Sequence, residues 1–390
     1  MKVLAVSHLY PSPGYDRHLF VHEQVKALKE AGAGVRVVSP TAMAPRVMWF
    51  SPQMRRRGQT PPSAVRDGIL ASYPRVPVLP RRLLFSRSGD LYYFGMRREL
   101  AALRQEGADV VHAHQALPDG AAGQRLAHAL GVPYVVTVHG ADVNVALPGG
   151  GAVAARVAAV LANAAAVVAV SGAVARRLTG YVAPGRLHVI NNGLVGAGEA
   201  APPAEFAGSS RLIVSVGHLI ASKGQATVLE AMAAVAAELP DLQYAIVGEG
   251  VCEATLREQA RALGLDARVH FLGRLAHADV QHLNARADLF VLPSSPEGFG
   301  LVYTEALAQG TPVVACRGEG PEDFVRDGEN GFLVPPRDAA AVAEALRRAF
   351  ADPQRLRQMG EAGRVSVAGL TWQHNAEQHL ALYAEITDAQ

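Results

Sequence analysis

Cysteine is scarce in this sequence, since Cys252 and Cys316 are the only two among 390 residues. So few thiols exclude a disulfide-stapled secreted fold, and a reducing cytoplasm is the expected compartment. Long apolar runs are lacking too. The longest, Ala152 to Val170, is interrupted by Arg156 and Asn163, so no transmembrane helix is predicted. The apolar part of the amino-terminal stretch MKVLAVSHLY is too short for a signal peptide.

Several chemical motifs are also missing. The chain has no Walker loop, no Gly-x-Ser-x-Gly nucleophile elbow, no dinucleotide GxGxxG and no Cys/His zinc spacing. No Asp-x-Asp metal motif stands in a convincing position. His112 and His114 alternate on a strand, as metal ligands do, but no third ligand accompanies them at a suitable spacing. We therefore predict no required cofactor, and no motif indicates Mg²⁺.

Lysine is absent from one long segment, Arg46 to Arg104, which has 12 arginines and three acidic residues. The net charge of the whole chain is only +2, so the rest of the chain is negative. Bulky apolar residues interrupt the arginines, as in Leu91-Tyr-Tyr-Phe94. This pattern suits an anionic membrane surface. The alternative is an irregular insertion with buried aromatics and solvated arginines. Nucleic acid is not predicted, because no recognition motif accompanies the charge.

Two series of strands alternating with helices occupy the chain, which predicts an α/β fold with doubly wound parallel sheets. The first series covers residues 1–192. The stretch 193–210 loses all periodicity and fills with Gly, Ala, Pro and Ser, as linkers do. The second series covers 211–370, and a last helix follows at 371–390.

The most informative stretch is 293–316, PSSPEGFGLVYTEALAQGTPVVAC. Its pattern predicts a loop at the carboxyl end of a strand, then a helix and another strand, which is where open α/β sheets bind ligands. Glu297 lies in the loop and Glu305 in the helix. Gly298 and Gly300 allow a ligand to approach the backbone and the first N–H groups of the helix. We interpret this stretch as a site for an anionic, hydroxyl-rich ligand; the alternative is two solvated glutamates.

A cation stands at a comparable position earlier in the second series. Val216-Gly217-His218-Leu219 is a glycine turn after a strand, and Lys223-Gly224 precedes a helix. Lys223 and helix N-termini would hold a diphosphate. The alternative is that Lys223 is a solvated residue at a helix start.

The residues from Glu297 to Glu305, followed by Ala306-Leu-Ala-Gln-Gly-Thr-Pro-Val-Val314, resemble the Glu-x7-Glu signature of retaining glycosyltransferases of family 4. Within that family, the stretches 111–120, 137–144 and 320–325 resemble teichuronic-acid-type polysaccharide glycosyltransferases. The resemblance implies the GT-B fold, in which two Rossmann-like domains face each other across a cleft. It also implies that the first domain, 1–192, binds the acceptor and that the second, 211–370, binds the nucleotide-sugar donor. The helix at 371–390 would return to the first domain.

The resemblance assigns roles to individual residues. His139, in His139-Gly-Ala-Asp142 at a strand end, would complete the reaction centre with Lys223 and Glu297. The alternative is that His139 is a hydrogen-bonded polar side chain with no role in the reaction. Glu305 would accept hydrogen bonds from the ribose. The remaining donor-binding candidates are Gly14, His218, Gly248, Arg274, Phe299, Gly300 and Leu301. The chain departs from the family at His218, where Arg is usual, and at Gly14-Tyr15, where many relatives have two glycines.

These implications together predict a retaining enzyme that moves a hexose-type sugar from a nucleotide-diphosphate sugar, a UDP-sugar first, to a hydroxyl acceptor. A lipid-linked or cell-surface glycan precursor is the expected acceptor, and a soluble natural product is the second choice. The same architecture would also suit a UDP-sugar epimerase or a non-catalytic nucleotide-sugar-binding subunit. We expect a cytoplasmic protein. Its basic segment would attach it peripherally to the anionic inner face of the membrane.

Overall fold

The computed structural model of the protein describes residues 1–14, 19–44, 51–78, 84–194 and 211–388. They form two compact units. Unit 1 contains Met1–Gly193 and Thr371–Gln390, and unit 2 contains Leu194–Leu370. The linker predicted at 193–210 lies outside the described residues except for its first two.

Unit 1 is built on an eight-stranded sheet with the order β10-β9-β8-β7-β1-β2-β5-β4. Only β4 runs antiparallel to its neighbour. The central strands are apolar and buried along almost their whole length, as expected for a parallel sheet covered on both faces. The strands are β1 (Lys2–Val6), β2 (Gly34–Val38), β4 (Ser63–Arg66), β5 (Ile69–Ser72), β7 (Val110–His114), β8 (Tyr134–Val138), β9 (Ala166–Ala169) and β10 (Leu187–Val189), with β3 (Thr41–Ala42) and β6 (Arg75–Val76) paired separately.

Helices follow most of these strands. They are α1 (Leu19–Glu30), α2 (Pro52–Gln59), α3 (Ser88–Met96), α4 (Leu100–Glu106), α5 (Ala121–Leu130), α6 (Gly151–Asn163) and α7 (Gly172–Leu178). The chain's last helix, α14 (Trp372–Asp388), also belongs to this unit. Its Trp372 and Tyr383 join a core with Val3 and Val110. Burial of these large apolar side chains holds α14 against the sheet.

The basic segment, Arg46 to Arg104, is regular in its described part. It contains α2, β4 to β6, α3 and α4, and β5 pairs in parallel with β2. The interpretation as an irregular insertion is therefore wrong there, because alternating apolar residues such as Ile69 and Ala71 extend the sheet. Phe94 is 54% exposed, and the Arg97 guanidinium lies 3.9 Å from the centre of its ring.

Unit 2 is built on a six-stranded parallel sheet with the order β13-β12-β11-β14-β15-β16. Numbered within the unit this is 3-2-1-4-5-6, the Rossmann order. The doubly wound parallel sheets predicted from the sequence are thus confirmed in both units. The strands are β11 (Leu212–Val216), β12 (Gln243–Val247), β13 (Val269–Gly273), β14 (Leu289–Val291), β15 (Val313–Cys316) and β16 (Gly331–Val334).

The helices of unit 2 cover this sheet. They are α8 (Gln225–Ala234), α9 (Glu253–Ala262), α10 (His277–Arg286), α11 (Leu301–Ala308), α12 (Ala339–Ala351) and α13 (Pro353–Val367). Local sequence fixes their ends. Asp338 caps α12 by accepting a hydrogen bond from Ala341 N–H at 2.8 Å, and Gly310 ends α11 with a φ of 80°. Within the described ranges, no helix combines the length and apolar character needed to cross a bilayer.

Candidate functional site

The strand order of unit 2 places its switch point between β11 and β14, the two strands from which the chain winds in opposite directions. In such sheets ligands bind outside the carboxyl ends of these two strands. The loops there are residues 217–224 after β11 and 292–300 after β14. Ser295 N–H donates to Ser222 O at 2.9 Å, so the two loops are joined through their backbones.

An ion pair also connects these loops. Lys223 Nζ donates to Glu297 Oε2 at 2.6 Å. The two side chains are 21% and 13% exposed, respectively, so both are held in place and yet reach the surface. The structure therefore brings together two residues that are 74 positions apart in the sequence.

A second carboxylate, Glu319, supports the pair and was missed by the sequence reasoning. It lies after β15 and is 4% exposed. Its Oε1 accepts a hydrogen bond from Ser295 Oγ at 2.8 Å, and its Oε2 accepts one from Glu297 N–H at 2.9 Å. The available signal was an acidic residue between Gly318 and Gly320, directly after a strand.

Two glycines allow this packing. Gly300 has a φ of 87°, and a Cβ there would lie 2.5 Å from the Tyr303 ring. Gly248, after β12, has a φ of 135°, and a Cβ there would lie 1.9 Å from Gly217 O. Any larger residue at Gly248 would therefore displace the loop that leads to Lys223.

The start of α11 faces this region through its backbone. Gly300 precedes the helix, and no side chain caps it, so the first N–H groups are available to an anion. Phe299 is buried and packs edge-on against Phe324, with ring centres 5.3 Å apart. Phe299 thus contributes its backbone to the site while its side chain belongs to the core. Leu301 begins the helix.

Glu305 lies one turn into α11 and is partly buried. Burial raises the pKa of its carboxyl group to about 7. Among the described residues its carboxylate has no hydrogen-bond partner. A buried carboxyl group of this kind gains from hydroxyl donors.

The other predicted donor residues follow neighbouring strands at the same edge of the sheet. His218 follows β11, Gly248 follows β12 and Arg274 follows β13. His218 and Arg274 are exposed. No hydrogen bond or ion pair connects either side chain to Lys223 or Glu297 within the ranges that the structure covers.

In unit 1, the predicted residues lie near the switch point between β1 and β7. His139 follows β8; its Nε2 is 3.0 Å from His114 Nδ1, and the two rings stack at 8°. Gly14 ends the described part of the loop after β1; residues 15–18 next to it lie outside the described residues.

Behind His139 the polar groups are buried. His112 Nε2 is 2.7 Å from Thr137 Oγ1, and its Nδ1 is 2.7 Å from Tyr383 OH. Burial lowers the pKa of His112 and of His114 well below the ordinary value. Both imidazoles are therefore neutral at neutral pH. His139 stacks on the uncharged ring of His114. In the described part of the chain, no group of three or more His, Cys, Asp or Glu residues could hold a metal ion.

Family models cover almost the whole chain. Residues 18–195 match the model described as Glycosyltransferase Family 4, and residues 199–366 match the one described as Glycosyl transferases group 1. The boundary between the two matches lies close to the division between unit 1 and unit 2.

Two curated relatives illustrate the similarity. TuaC of Bacillus subtilis (strain 168), named for teichuronic acid biosynthesis, is 30% identical over 364 residues, which are 89% of this chain and 89% of TuaC. The lipopolysaccharide core biosynthesis glycosyltransferase LpsE of Rhizobium meliloti (strain 1021) is 37% identical over 158 residues, 40% of this chain. The match spans only 45% of the length of LpsE.

Solved structures share the fold over their whole length. Sucrose-phosphate synthase from Thermosynechococcus elongatus matches with a TM-score of 0.81 and 24% identity, over 100% of both chains. HepE of Anabaena, crystallised with UDP and glucose, matches with a TM-score of 0.74 and 20% identity, over 99% of this chain and 100% of HepE.

Proposed function

Because the chain belongs to the family 4 glycosyltransferases, we propose that it moves a hexose-type sugar from a nucleotide-diphosphate sugar to a hydroxyl group of an acceptor. The anomeric configuration of the sugar is retained in this proposal. The observation that carries it is the Lys223–Glu297 pair at the switch point of the unit 2 sheet. A cation, a carboxylate and an uncapped helix start meet there, and a sugar diphosphate needs all three.

In the donor site we assign the diphosphate to Lys223 and to the backbone at Phe299, Gly300 and Leu301. Glu297 accepts hydrogen bonds from hydroxyl groups of the transferred sugar. Glu305 accepts them from the ribose, which its unpaired and partly buried carboxyl group supports. The base lies near Gly248 and Arg274, and His218 is a weaker phosphate contact.

The reaction proceeds by attack from the face that the diphosphate leaves. The bond between the anomeric carbon and the phosphate oxygen breaks, and the acceptor oxygen bonds to the same face of that carbon. The departing phosphate oxygen takes the acceptor's proton. Lys223 stabilises the negative charge that develops on the diphosphate, and this kind of preorganised contact is worth about 10²–10³ in rate. For unit 1, the family resemblance assigns His139 to the transferred sugar and Gly14 to the donor.

A UDP-sugar is our first choice of donor, supported by the UDP complex of HepE. A glycan precursor is our first choice of acceptor, supported by the role in the name of TuaC. The basic segment would bring the enzyme to an anionic membrane surface through the exposed Phe94 and Arg97. Flotation with liposomes tests this attachment: salt-sensitive binding to anionic vesicles supports it, and absence of binding contradicts it.

The test of the function is a donor screen. Purified protein is incubated with UDP-, GDP-, ADP- and dTDP-sugars, and release of the nucleoside diphosphate is followed by chromatography. We expect slow hydrolysis of one donor, and release that is about 10²–10³-fold slower with Lys223→Ala. Neither binding nor turnover of any donor would contradict the proposal. An epimer formed from a UDP-sugar alone, or tight binding without turnover across an acceptor panel, would replace it by an epimerase or a binding subunit.

A further inference from the structure

Glu297 lies in a loop that a second loop of unit 2 holds in place. The first loop, residues 292–300, follows β14, and the second follows β15. Two adjacent residues of the second loop, Glu319 and Gly320, make the contacts. We call these two residues the clamp.

The clamp takes both backbone polar groups of Glu297. The Glu297 N–H donates to Glu319 Oε2 at 2.9 Å, and the Glu297 carbonyl accepts a hydrogen bond from Gly320 N–H at 3.2 Å. Ser295 Oγ donates to the other oxygen of Glu319, Oε1, at 2.8 Å. Because the backbone is bonded on both sides of the Glu297 Cα, the point from which this side chain extends is fixed.

A buried carboxylate is well suited to this role. Glu319 is 4% exposed, so water competes little for its oxygens and its hydrogen bonds gain from the low local dielectric. Hydrogen bonds to an ionised group are also roughly twice as strong as those between neutral groups. Glu319 therefore holds residues 295 and 297 more firmly than a neutral side chain would.

Gly320 holds a different part of the same loop. A Cβ at this position would lie 2.6 Å from the Phe299 Cα and would also meet the Gly298 carbonyl. The clamp thus lies directly against the backbone of residues 298 and 299, next to the start of α11. Glu319 holds the part of the loop that we assign to the transferred sugar, and Gly320 holds the part that we assign to the diphosphate.

We propose that Glu319 is a positioning residue for the transferred sugar. It holds Glu297 where the Glu297 carboxylate accepts hydrogen bonds from the sugar hydroxyl groups. The assignment rests on the proposed function, since it concerns the same donor site. Loss of Glu319 should separate the two halves of the donor: the nucleotide keeps Lys223 and the start of α11, while the sugar loses an oriented acceptor.

The experiment compares UDP with UDP-glucose, or the donor identified by the screen with its own nucleoside diphosphate. Calorimetric titration of the full chain measures both affinities. In Glu319→Ala, the affinity for UDP-glucose should fall at least about tenfold relative to that for UDP, because an oriented hydrogen bond to a charged group is lost. Affinity for UDP itself should change less than about threefold, and donor hydrolysis should slow about 10²-fold.

Glu319→Gln should restore most of this loss. Its amide oxygen can accept from the Glu297 N–H, and its amide nitrogen can donate to Ser295 Oγ. Ser295→Ala removes one of the two hydrogen bonds to Glu319 and should give a smaller loss of the same kind. Glu329→Ala is the matched control, since Glu329 is an exposed glutamate between β15 and β16, and it should behave as the wild type.

Gly320→Ala supplies the contrast within the clamp. Its Cβ displaces the backbone of residues 298 and 299, so the affinities for UDP and for UDP-glucose should fall together. Parallel loss of both affinities in Glu319→Ala as well would overturn the assignment of Glu319 to the sugar.

Hydrogen–deuterium exchange tests the clamp without any donor. Peptides that cover residues 293–300 should exchange faster in Glu319→Ala than in the wild type or in Glu329→Ala. Unchanged exchange would overturn the inference whatever the activity. Failure of the wild type to bind or cleave any donor contradicts the proposed function instead, so the two failures are distinct.

Discussion

The two switch points of the molecule have the same topology, but the titratable groups beside them differ in charge and in exposure to solvent. In unit 2, between β11 and β14, the charged pair Lys223–Glu297 reaches the surface. In unit 1, beyond β7 and β8, the titratable groups His112, His114 and Asp142 are buried, each 3% exposed or less. Both places lie at the carboxyl edge of a parallel sheet.

The difference shows how one fold prepares for two kinds of ligand. An anionic ligand needs a cation and backbone N–H groups that exchange water for phosphate, and unit 2 offers these at a partly solvated edge. An uncharged ligand needs apolar walls with a few oriented polar groups, and unit 1 offers these in a cavity lined by Leu91, Leu117 and Asp142. Four variants test this contrast, from the largest expected effect to the smallest.

Lys223→Ala should have the largest effect, a fall of about 10²–10³ in the rate of donor cleavage, because the leaving diphosphate loses its cation. His218→Ala should cost less, since His218 is exposed and no ion pair fixes it in the described part of unit 2. Initial rates of nucleoside diphosphate release compare the two. Lys26→Ala, at a half-exposed position of α1, is the control. Equal or reversed losses for Lys223 and His218 would mean that the charge of unit 2 is not used as we propose.

Gly248→Ala should destabilise unit 2 by about 1–3 kcal/mol more than a matched glycine substitution, because a Cβ at this position meets the backbone of Gly217. The match is Gly264→Ala. Gly264 also has a positive φ, 68° against 135° for Gly248, but its Cβ would have nothing within 4 Å. Urea unfolding followed by circular dichroism measures both. Similar losses in the two variants would show that the loop before Lys223 adapts freely.

His379→Gln tests the buried side of the comparison. His379 Nδ1 donates to Asn375 O at 2.8 Å, and burial lowers its pKa from 6.5 to about 4. The unfolded chain therefore binds a proton that the folded chain does not, so stability is complete above the ordinary pKa of 6.5 and is lost as the pH falls towards 4.

At about pH 5 this residue should cost wild-type unit 1 about 2 kcal/mol relative to neutral pH, and the Gln variant should lack that contribution. Tryptophan fluorescence during urea unfolding reports on unit 1, because both tryptophans, Trp49 and Trp372, fall within it. His374→Gln, at an exposed position of the same helix, is the control. The same pH dependence in His379→Gln as in the wild type would show that this imidazole does not set the acid sensitivity of unit 1.

Glu305→Gln addresses a group of unit 2 whose pKa is shifted by burial, as the pKa values of the histidines of unit 1 are. Burial raises its pKa to about 7, while hydroxyl donors of a bound nucleotide favour the carboxylate. Below that pKa the nucleotide must displace a proton, so UDP affinity should be about tenfold lower at about pH 6 than at about pH 8. Calorimetric titration should give a flat profile for Glu305→Gln and the wild-type profile for the exposed control Glu258→Gln. A flat wild-type profile would remove Glu305 from the nucleotide site.

Local sequence was sufficient for most of the fold, and it singled out Lys223 and Glu297, which the structure brings together. Apolar runs such as those of β7 and β14 predict buried strands, and Gly310 and Gly32 end helices as expected. Glu297 and Lys223 stood out because each lies in a glycine-containing loop between a strand and a helix. Their ion pair was not predictable, since it depends on the strand order that brings β11 beside β14.

Other features depend on contacts between distant residues and left weak signals. Glu319 acts through hydrogen bonds to Ser295 and to the backbone of Glu297. His8 and Asp119 are 111 residues apart. The strands β4 and β5 were missed because each is only four residues long and lies in a segment rich in arginine, so neither resembles a strand until the sheet supplies its partners.

The most direct test of the central claim is the stereochemistry of donor hydrolysis, because water replaces the unknown acceptor. Once the donor screen has identified the nucleotide sugar, its hydrolysis is followed by proton NMR at early times, before the free sugar mutarotates. For an α-linked donor, we predict that the α-anomer forms first, at a rate that Lys223→Ala lowers about 10²–10³-fold. The β-anomer forming first, or a rate unchanged by Lys223→Ala, would contradict a retaining transfer at this site.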